Sequence, residues 1–463
     1  MYRKLMNSVH LVSSKDTIAI KTHRLVSEVI IRIRALVLFS ALLCTLFIIN
    51  CEAVRRDVAN EGRRNQKTAV QTKQLESAKQ PGRSYVQFDH SNNALQIPFK
   101  IVDQAIIVSA RVNDSIELNL ALDTGFPING AILFDRELGE KLGLEYVGQT
   151  PLGGGGTNTV KTANIAVGGM LSLPGVRFSN QQLLVVNESE EFKHWPVDGI
   201  MGKTIFDSCV AEIDYEDLVL NICDRSAFDF GRAGESFDLT FSLGIPVVEA
   251  AVTLDGTKNI PVKLIVDTGA DVAMALYANP DKNIRAPQRV IQGFISEGIA
   301  GDVLGMRGRV AALRIGSLML NKVITAFPTE GMSEVVATLG QDGFFGNVAL
   351  QRFHVVFDYV GKRMYLKPNK DYSKPFEFNM AGLLLRTRSD GYKEVYDVIK
   401  DSPGDLQDIR KGDLIVAVNG RDILTYNSAE LDRLFLQESA NIELTIKRNS
   451  HRSNRKLTLR RII

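Results

Sequence analysis

Cysteine and histidine are scarce in this 463-residue chain, which contains four cysteines and six histidines. No two cysteines have the C-x-x-C spacing of a zinc site, and the histidines form no H-E-x-x-H pair. The formal net charge is only +2, so no strong positive charge favours nucleic acid as a partner. We therefore expect no metal site, no cofactor and no nucleic-acid binding.

Proline is also sparse, at 14 residues, whereas glycine is frequent, at 37. Apolar residues make up 45% of the chain and charged residues 23%, as in an ordinary globular protein. Sparse proline with frequent glycine is typical of a β-rich chain with many tight turns. The length corresponds to about three domains of ordinary size.

One long apolar run, residues 35–49, follows a basic leader. Its 15 residues are few for a membrane span, which needs ~20, but suit the core of a signal peptide. A cleaved signal, an uncleaved anchor, lipidation at Cys51 and a buried helix of a cytoplasmic protein all remain open. We expect residues 1–51 to form a leader with a signal or anchor segment and residues 52–83 a polar linker. This predicts an exported protein of the periplasm or cell envelope, with the membrane as a further partner.

An internal repeat organises the rest of the chain. The triplet Asp123-Thr124-Gly125 recurs as Asp267-Thr268-Gly269, at an offset of 267 − 123 = 144 residues. Three other features recur at the same offset: Asp198-Gly199 as Asp342-Gly343, Gly202 as Gly346, and Asp214-Tyr215 as Asp358-Tyr359. One such triplet arises by chance in roughly one chain in ten of this length, but several features in step are far rarer. Residues 84–232 and 233–370 are therefore predicted to be two copies of one β fold.

The two Asp-Thr-Gly triplets have the chemistry of a hydrolase. Glycine lets the backbone turn sharply after the aspartate, and the threonine hydroxyl can bond the other copy. Two carboxylates brought together, Asp123 and Asp267, cannot both ionise easily and share one proton. The ionised member can then take a proton from water, while the protonated member polarises a substrate carbonyl. The plainer alternative is that each triplet is only a β-turn.

These motifs resemble the retropepsin-like and pepsin-like aspartic proteases. The resemblance implies the acid-protease fold, with two pseudo-symmetric β lobes in one chain, so that dimerisation is not required. It implies that Gly202 and Gly346 pack beneath the catalytic loops and that a glycine-rich flap covers an extended polypeptide substrate. Candidate flap residues that contact substrate are Gly154 and Gly155 in the first copy and Gly298 in the second. By the same resemblance, Asp271 contacts the substrate backbone.

The first copy departs from the family pattern after its triplet. Phe126 and Pro127 stand where the second copy has Ala270 and Asp271. A phenyl ring there could raise the pKa of the carboxylate pair by desolvation or narrow the cleft. A catalytically silent peptide-binding protein and an envelope scaffold therefore remain alternatives to an aspartic endopeptidase.

Residues 376–463 form a third, α+β unit. The pattern S-P-x-x-x-x-x-I-x-x-G-D-x-I-x-x-V-N-G, from Ser402 to Gly420, resembles a PDZ domain of the kind found in bacterial proteases. The resemblance implies a peptide or C-terminal ligand that adds a strand to a sheet edge. Its groove would lie between the loop 381–384 and a helix over residues 428–438. The predicted contacts are Gly382, Leu383 and Leu384 in the loop, and Leu431 on the helix beside Leu434. A module that only packs on the lobes is the alternative.

Two cysteines lie on a predicted hairpin of the first copy. If Asp214 lies opposite Leu218, then Cys209 lies opposite Cys223, within reach of a disulfide bond. A shift of one residue would break this pairing.

Overall fold

Strands dominate the computed structural model, which describes residues 85–156, 161–187, 192–193, 195–330 and 340–463, and of residues 428 and 429 the backbone alone. The prediction of a mainly β chain is confirmed. The predicted signal segment, Cys51 and the linker lie outside the described residues. No helix within the described ranges is long and apolar enough to cross a bilayer.

The first copy is built from short strands with alternating burial, because one face of each strand packs on the core. In the segment AIIVSARV, for example, Val108, Ala110 and Val112 are buried and alternate with exposed residues. The strands are β1 Tyr85–Phe88, β2 Asn93–Val102, β3 Ala105–Val112, β4 Ile116–Leu122, β5 Gly130–Leu133, β6 Tyr146–Leu152, β7 Lys161–Leu173, β8 Val176–Val186, β9 Gly199–Met201, β10 Val210–Asp214 and β11 Val219–Cys223. The α-helices are α1 Arg136–Lys141 and α2 Thr204–Ser208, and Arg225–Ala227 and Phe230–Arg232 are 3₁₀ turns.

The second copy repeats this arrangement. Its strands are β12 Glu235–Ser242, β13 Ile245–Thr253, β14 Ile260–Asp267, β15 Met274–Leu276, β16 Val290–Gly298, β17 Gly301–Arg309, β18 Ala312–Ile315, β19 Leu318–Asn321, β20 Ile324–Glu330, β21 Gly343–Gly346, β22 Phe353–Asp358 and β23 Arg363–Pro368. The helix α3, Asn347–Leu350, follows β21 as α2 follows β9. One continuous apolar core includes buried side chains of both copies.

The C-terminal module has its own sheet and its own apolar core. Its elements are β24 Leu383–Thr387, β25 Lys393–Val398, α4 Pro403–Leu406, β26 Leu414–Val418, β27 Arg421–Asp422, a 3₁₀ turn Ile423–Thr425, α5 Ser428–Phe435, β28 Asn441–Arg448 and β29 His451–Thr458. Asn427 caps α5 by accepting a bond from the backbone N–H of Glu430, whose side chain bonds back to the Asn427 N–H. Helix α5 ends at Phe435, three residues earlier than predicted.

A shared sheet joins the two copies around a pseudo-two-fold axis. Strands β10 and β22 pair antiparallel, with Val210 opposite Asp358 and Asp214 opposite His354. At the 144-residue offset, Val210 is equivalent to His354 and Asp214 to Asp358, so the two pairs are the same pair with the copies exchanged. The repeat in the sequence therefore corresponds to a two-fold rotation in space. Strands β11 and β2 extend the sheet on one side, and β23 and β12 extend it on the other.

The repeated Asp-Gly features fix the strands that lead into the two triplets. The Asp198 carboxylate accepts a bond from the backbone N–H of Asn119 in β4, at 2.7 Å. The Asp342 carboxylate accepts the equivalent bond from Lys263 in β14, at 2.8 Å. Strand β4 also pairs in parallel with β9, and β14 with β21. Both triplets therefore leave the sheet at equivalent points.

The predicted Cys209–Cys223 disulfide is wrong. Cys223 lies opposite Val210, not Cys209, and both cysteines are buried free thiols. The turn after Asp214 contains one residue more than predicted and ends at Leu218 in the left-handed conformation, with φ 56°. This extra residue shifts the ladder by one position, so Cys209 falls just before the strand.

Candidate active site

Asp123 and Asp267 lie side by side where β4 and β14 end. The two carboxyl groups are hydrogen-bonded to each other. Asp123 Oδ1 accepts the backbone N–H of Gly125 at 2.7 Å, and Asp267 Oδ1 accepts that of Gly269 at 2.8 Å. Both side chains are half-buried. The structure therefore brings together the two carboxylates that the repeat singled out.

The two threonines lock the turns together by reciprocal hydrogen bonds. The Thr124 N–H donates to the Thr268 hydroxyl, and the Thr268 N–H donates to the Thr124 hydroxyl, both at 3.0 Å. Each hydroxyl donates in turn across the axis at 2.8 Å, Thr124 to the Val266 carbonyl and Thr268 to the Leu122 carbonyl. Because both side chains are buried, this network fixes the separation of the carboxylates.

Glycine is required at the turns because each lies against the opposite carboxyl group. A Cβ atom on Gly125 would come within 2.7 Å of the Asp267 carboxyl carbon, and one on Gly269 within 2.5 Å of that of Asp123. Beneath the turns, a Cβ on Gly202 would meet the Ile128 carbonyl oxygen at 2.4 Å. A Cβ on Gly346 would lie 2.2 Å from the Val272 carbonyl oxygen. These four positions leave no room for a side chain.

Burial raises the pKa of both carboxyl groups. For Asp123, burial is the largest cause, and the charge of Asp267 and the hydrogen bond between them raise the pKa further. For Asp267, the Gly269 N–H and the bond with Asp123 oppose the effect of burial. The pKa of Asp123 therefore lies well above its usual range, and the two carboxyl groups titrate as one pair that shares a proton.

The residues after the two triplets make the halves of the site unlike. The Phe126 ring is only 9% exposed and belongs to an apolar cluster that includes Ile299. On the other side, Asp271 is open to solvent, yet desolvation by the surrounding protein raises its pKa to about 6, partly opposed by the charge of Arg307. One half of the site is thus apolar and the other carries a titratable carboxyl group.

The glycine-rich segments form the tips of two hairpins that meet. In the first copy, Gly154 and Gly155 follow β6; in the second, Gly298 ends β16. The Ala300 N–H donates to the Gly155 carbonyl at 2.9 Å, and a Cβ on Gly298 would lie 2.2 Å from that oxygen. The second tip also places Ile299 in the Phe126 cluster. The hairpins therefore touch each other and reach the wall of the first copy.

Arg307 in β17 is a site residue without a sequence motif. It is buried, and it donates to the Phe294 carbonyl at 2.6 Å and to the Ile295 carbonyl. Burial lowers its pKa, and the charge of Asp271 partly offsets that effect. Only the fold shows that this cation stands beside the predicted substrate contact.

Asn347 is a second supporting residue that the motifs did not reveal. Its N–H donates to the Ala270 carbonyl at 2.9 Å, directly after the second triplet. Its side chain accepts the Tyr215 hydroxyl at 2.6 Å and donates to the Gln104 carbonyl at 2.5 Å, both in the first copy. The recurrence of tyrosine after Asp214 was the only signal in the sequence.

In the C-terminal module, β24 is an edge strand, because among the described strands it pairs with β25 alone. Gly382 precedes it in a left-handed conformation, with φ 73°. Two N–H groups of the loop are already bonded, because the Ala381 N–H donates to the Asn379 side chain and the Gly382 N–H to the Asn379 carbonyl. Leu384, two residues after Gly382, is half-buried.

The predicted groove residues Leu383 and Leu431 are both buried in the core of the module. Leu434, also on α5, packs against that core and is partly exposed. Helix α5 lies beside the loop, since the Met380 N–H donates to the carbonyl of Phe435 at its end. The edge of β24 and helix α5 thus flank the predicted groove.

Comparison with known proteins identifies one domain. A family model described as a PDZ domain matches residues 394–448, within the C-terminal module. A search of curated proteins gave no significant match. Among solved structures, an aspartic proteinase from Irpex lacteus is similar at a TM-score of 0.40 and 13% identity, covering 61% of this chain and 99% of that one. A similarity of that extent does not by itself fix an activity.

Proposed function

We propose that the chain is an aspartic endopeptidase that hydrolyses polypeptides with dyad-activated water. The observation that supports this most is the hydrogen-bonded pair of Asp123 and Asp267, held by the reciprocal threonine bonds. Two carboxyl groups sharing one proton can act as acid and base on the same substrate.

We propose that Asp123 begins as the acid and Asp267 as the base. Asp267, ionised, takes a proton from water as the water oxygen bonds to the peptide carbonyl carbon, while Asp123 donates its proton to the carbonyl oxygen. The product is a neutral tetrahedral diol. Asp267 then delivers its proton to the amide nitrogen, Asp123 recovers one from a diol hydroxyl, and the C–N bond breaks. No covalent enzyme intermediate forms.

The test is cleavage of an unfolded protein by the full chain between pH 3 and 8. Asp123→Asn and Asp267→Asn should each reduce the rate about 10²–10⁴-fold, because each removes an acid–base group. Asp238→Asn is the control, since that side chain is 81% exposed in β12. Equal rates for parent and dyad variants would refute the proposal.

The apolar cluster that includes both Phe126 and Ile299 favours a second candidate, a peptide-binding protein that does not cut. In that case the closed hairpins and the ring would exclude water from the dyad. A protein that binds unfolded polypeptide tightly at every pH, without releasing fragments, would establish this alternative.

We further propose the domain arrangement and location. Lobe 1 covers residues 84–232, lobe 2 covers residues 233–370, and the PDZ domain of residues 376–463 recognises a peptide. The apolar run at residues 35–49 supports export to the periplasm or envelope. Cell fractionation, with and without that run, tests the location: retention in the cytoplasm by the intact chain would exclude it.

A further inference from the structure

A turn of lobe 1 reaches the edge strand of the PDZ domain. The turn joins β2 to β3, and its Asp103 accepts the Thr387 N–H at 2.7 Å and the Thr387 hydroxyl at 2.7 Å. The Lys393 ammonium also donates to Asp103, at 3.2 Å. Lys393 has a side chain only 12% exposed, so its charge faces this carboxylate rather than solvent. Three donors of the PDZ domain thus surround one carboxylate of the lobe.

The Thr387 N–H belongs to the open edge of β24. Arg388 donates its N–H to Tyr392 across the hairpin, so its backbone faces β25. Backbone direction alternates along a strand, so Arg386 also faces β25, whereas Leu385 and Thr387 face the opposite, unpaired edge. A peptide that adds to this edge would bond Leu385 and then Thr387. Asp103 already occupies the second of these positions.

The charge of Asp103 also acts on helix α5. Burial raises the pKa of Asp432 on α5, the charge of Lys393 lowers it and the charge of Asp103 raises it, with a net upward effect. The direct bonds of Asp103 are to Thr387 in β24 and to Lys393 in β25. Asp103 lies at the end of β24 opposite to the loop at Gly382.

We propose that Asp103 is an internal ligand of the PDZ groove and that the groove selects an extended polypeptide with an acidic side chain opposite Thr387. The backbone of such a ligand takes the Thr387 N–H from Asp103, and its carboxylate takes the Thr387 hydroxyl and the Lys393 ammonium. A peptide too short to reach Thr387 pairs with Leu385 and leaves Asp103 in place. The inference rests on the proposed peptide binding by the PDZ domain and adds the selected chemistry and the competition.

Displacing Asp103 also disturbs a contact to the catalytic loop. The next residue, Gln104, accepts a bond from the side chain of Asn347, whose own N–H holds the Ala270 carbonyl. A peptide in the distal groove therefore acts on the same turn that supports the second triplet.

The test measures fluorescence anisotropy of labelled ten-residue peptides with the full chain. The peptides share one Leu/Ser/Ala composition and carry a single Asp or Asn moved stepwise, with a free or an amidated C-terminus. Asp103→Gly removes the internal ligand without strain, because φ is 46° there. Asp114→Gly is the matched control: its φ is 51°, and it accepts a bond from Ser172 within lobe 1.

We expect the parent to prefer Asp over Asn at one position of the peptide. Asp103→Gly should increase the affinity for the ten-residue peptides at least 10-fold. The affinity for four-residue peptides, which are too short to reach Thr387, should stay unchanged. Equal affinity of the peptides for the parent and for Asp103→Gly would overturn the proposed competition by Asp103, but not the peptide binding itself. Tighter binding to the control Asp114→Gly as well would do the same. A preference abolished by amidation would show that the terminal carboxylate, not a side chain, is selected, which would overturn the proposed selectivity. No binding by any variant at any length would overturn the peptide-binding function and this inference together.

Discussion

Phe126 is the side chain that distinguishes the turn of the first triplet from the turn of the second. The Phe126 ring is buried in an apolar cluster three residues after Asp123, whose pKa is raised mainly by burial. In Phe126→Ala, water enters, the pKa of Asp123 falls towards its ordinary value, and the shared proton is lost at lower pH. We therefore expect the alkaline limit of cleavage to move to lower pH, as read from the pH profile of kcat/KM.

A control separates this effect from lost packing. Phe134 is buried in the same apolar cluster as Phe126. Phe126→Ala and Phe134→Ala should therefore each cost about 3–5 kcal/mol of stability. The alkaline limit of Phe134→Ala should stay at the parent value. Identical shifts in both variants would show that packing, not the ring beside the dyad, sets the limit.

Gly269 tests the closeness of the two turns. In Gly269→Ala the new methyl group collides with the Asp123 carboxyl group and forces the carboxylates apart. Displacing a catalytic group by ~1 Å costs on the order of 100-fold in rate, so we expect such a loss in kcat. Gly256→Ala is the control, because a Cβ there has no atom within 4 Å. A variant with parental kcat would contradict the observed contact.

The dyad also makes folding stability depend on pH. A carboxyl group whose pKa is raised in the folded state contributes stability below its unfolded pKa, and that stability is lost as pH rises through the folded pKa. Asp123→Asn removes this titration. Its Tm should therefore exceed that of the parent at pH 8 and approach it, or fall below it, at pH 4. A constant difference in Tm across this range would contradict the raised pKa of Asp123.

At the scale of elements, the hairpin of β10 and β11 decides the state of the cysteines. Its ladder places Cys209 and Cys223 out of register for a bond, and burial raises the pKa of Cys209 to about 12. Neither thiol should react with a thiol reagent in the folded protein. In denaturant, without reductant, both should be alkylated, as measured by peptide mass spectrometry. Recovery of a Cys209–Cys223 cross-linked peptide would contradict this register.

At the scale of the whole molecule, the PDZ domain holds the second hairpin. The Tyr396 hydroxyl donates to Asp302 in β17, and the Tyr396 ring lies 4.4 Å from that of Phe294 in β16. A chain ending at Phe378 loses both contacts. Backbone amides of residues 290–309 should then exchange hydrogen faster, as seen by mass spectrometry, whereas β10 and β11 serve as the unchanged internal control. Equal exchange in residues 290–309 would show that lobe 2 alone holds the hairpin.

The sequence predicts the dyad well because its geometry follows from the repeat. Asp123 and Asp267 occupy equivalent positions in two copies, so a rotation that superposes the copies brings the two turns to one axis. The threonine bonds follow from the same rotation. The Cys209 register was missed because one residue, Leu218, adopts a left-handed conformation. Such a local choice leaves no mark in the hydrophobic pattern.

Contacts between the lobes and the PDZ domain could not be predicted. Asp103 and Thr387 are 284 residues apart and belong to units with no common period. In the sequence, Asp103 stands in an ordinary polar turn, and no motif around it marks this turn as a contact with another domain. Such docking depends on the shapes of both folded surfaces, which no motif in either segment encodes.

The unlike residues after the triplets, Phe126-Pro127 and Ala270-Asp271, have a consequence for how a chain lies in the cleft. A site with two identical halves looks the same to a polypeptide running in either direction, because a half-turn exchanges its two ends. Here one half presents a ring and the other a carboxyl group, so the half-turn no longer restores the site. If the chain cleaves polypeptides as proposed, the residue preferences before and after the scissile bond should therefore not be mirror images.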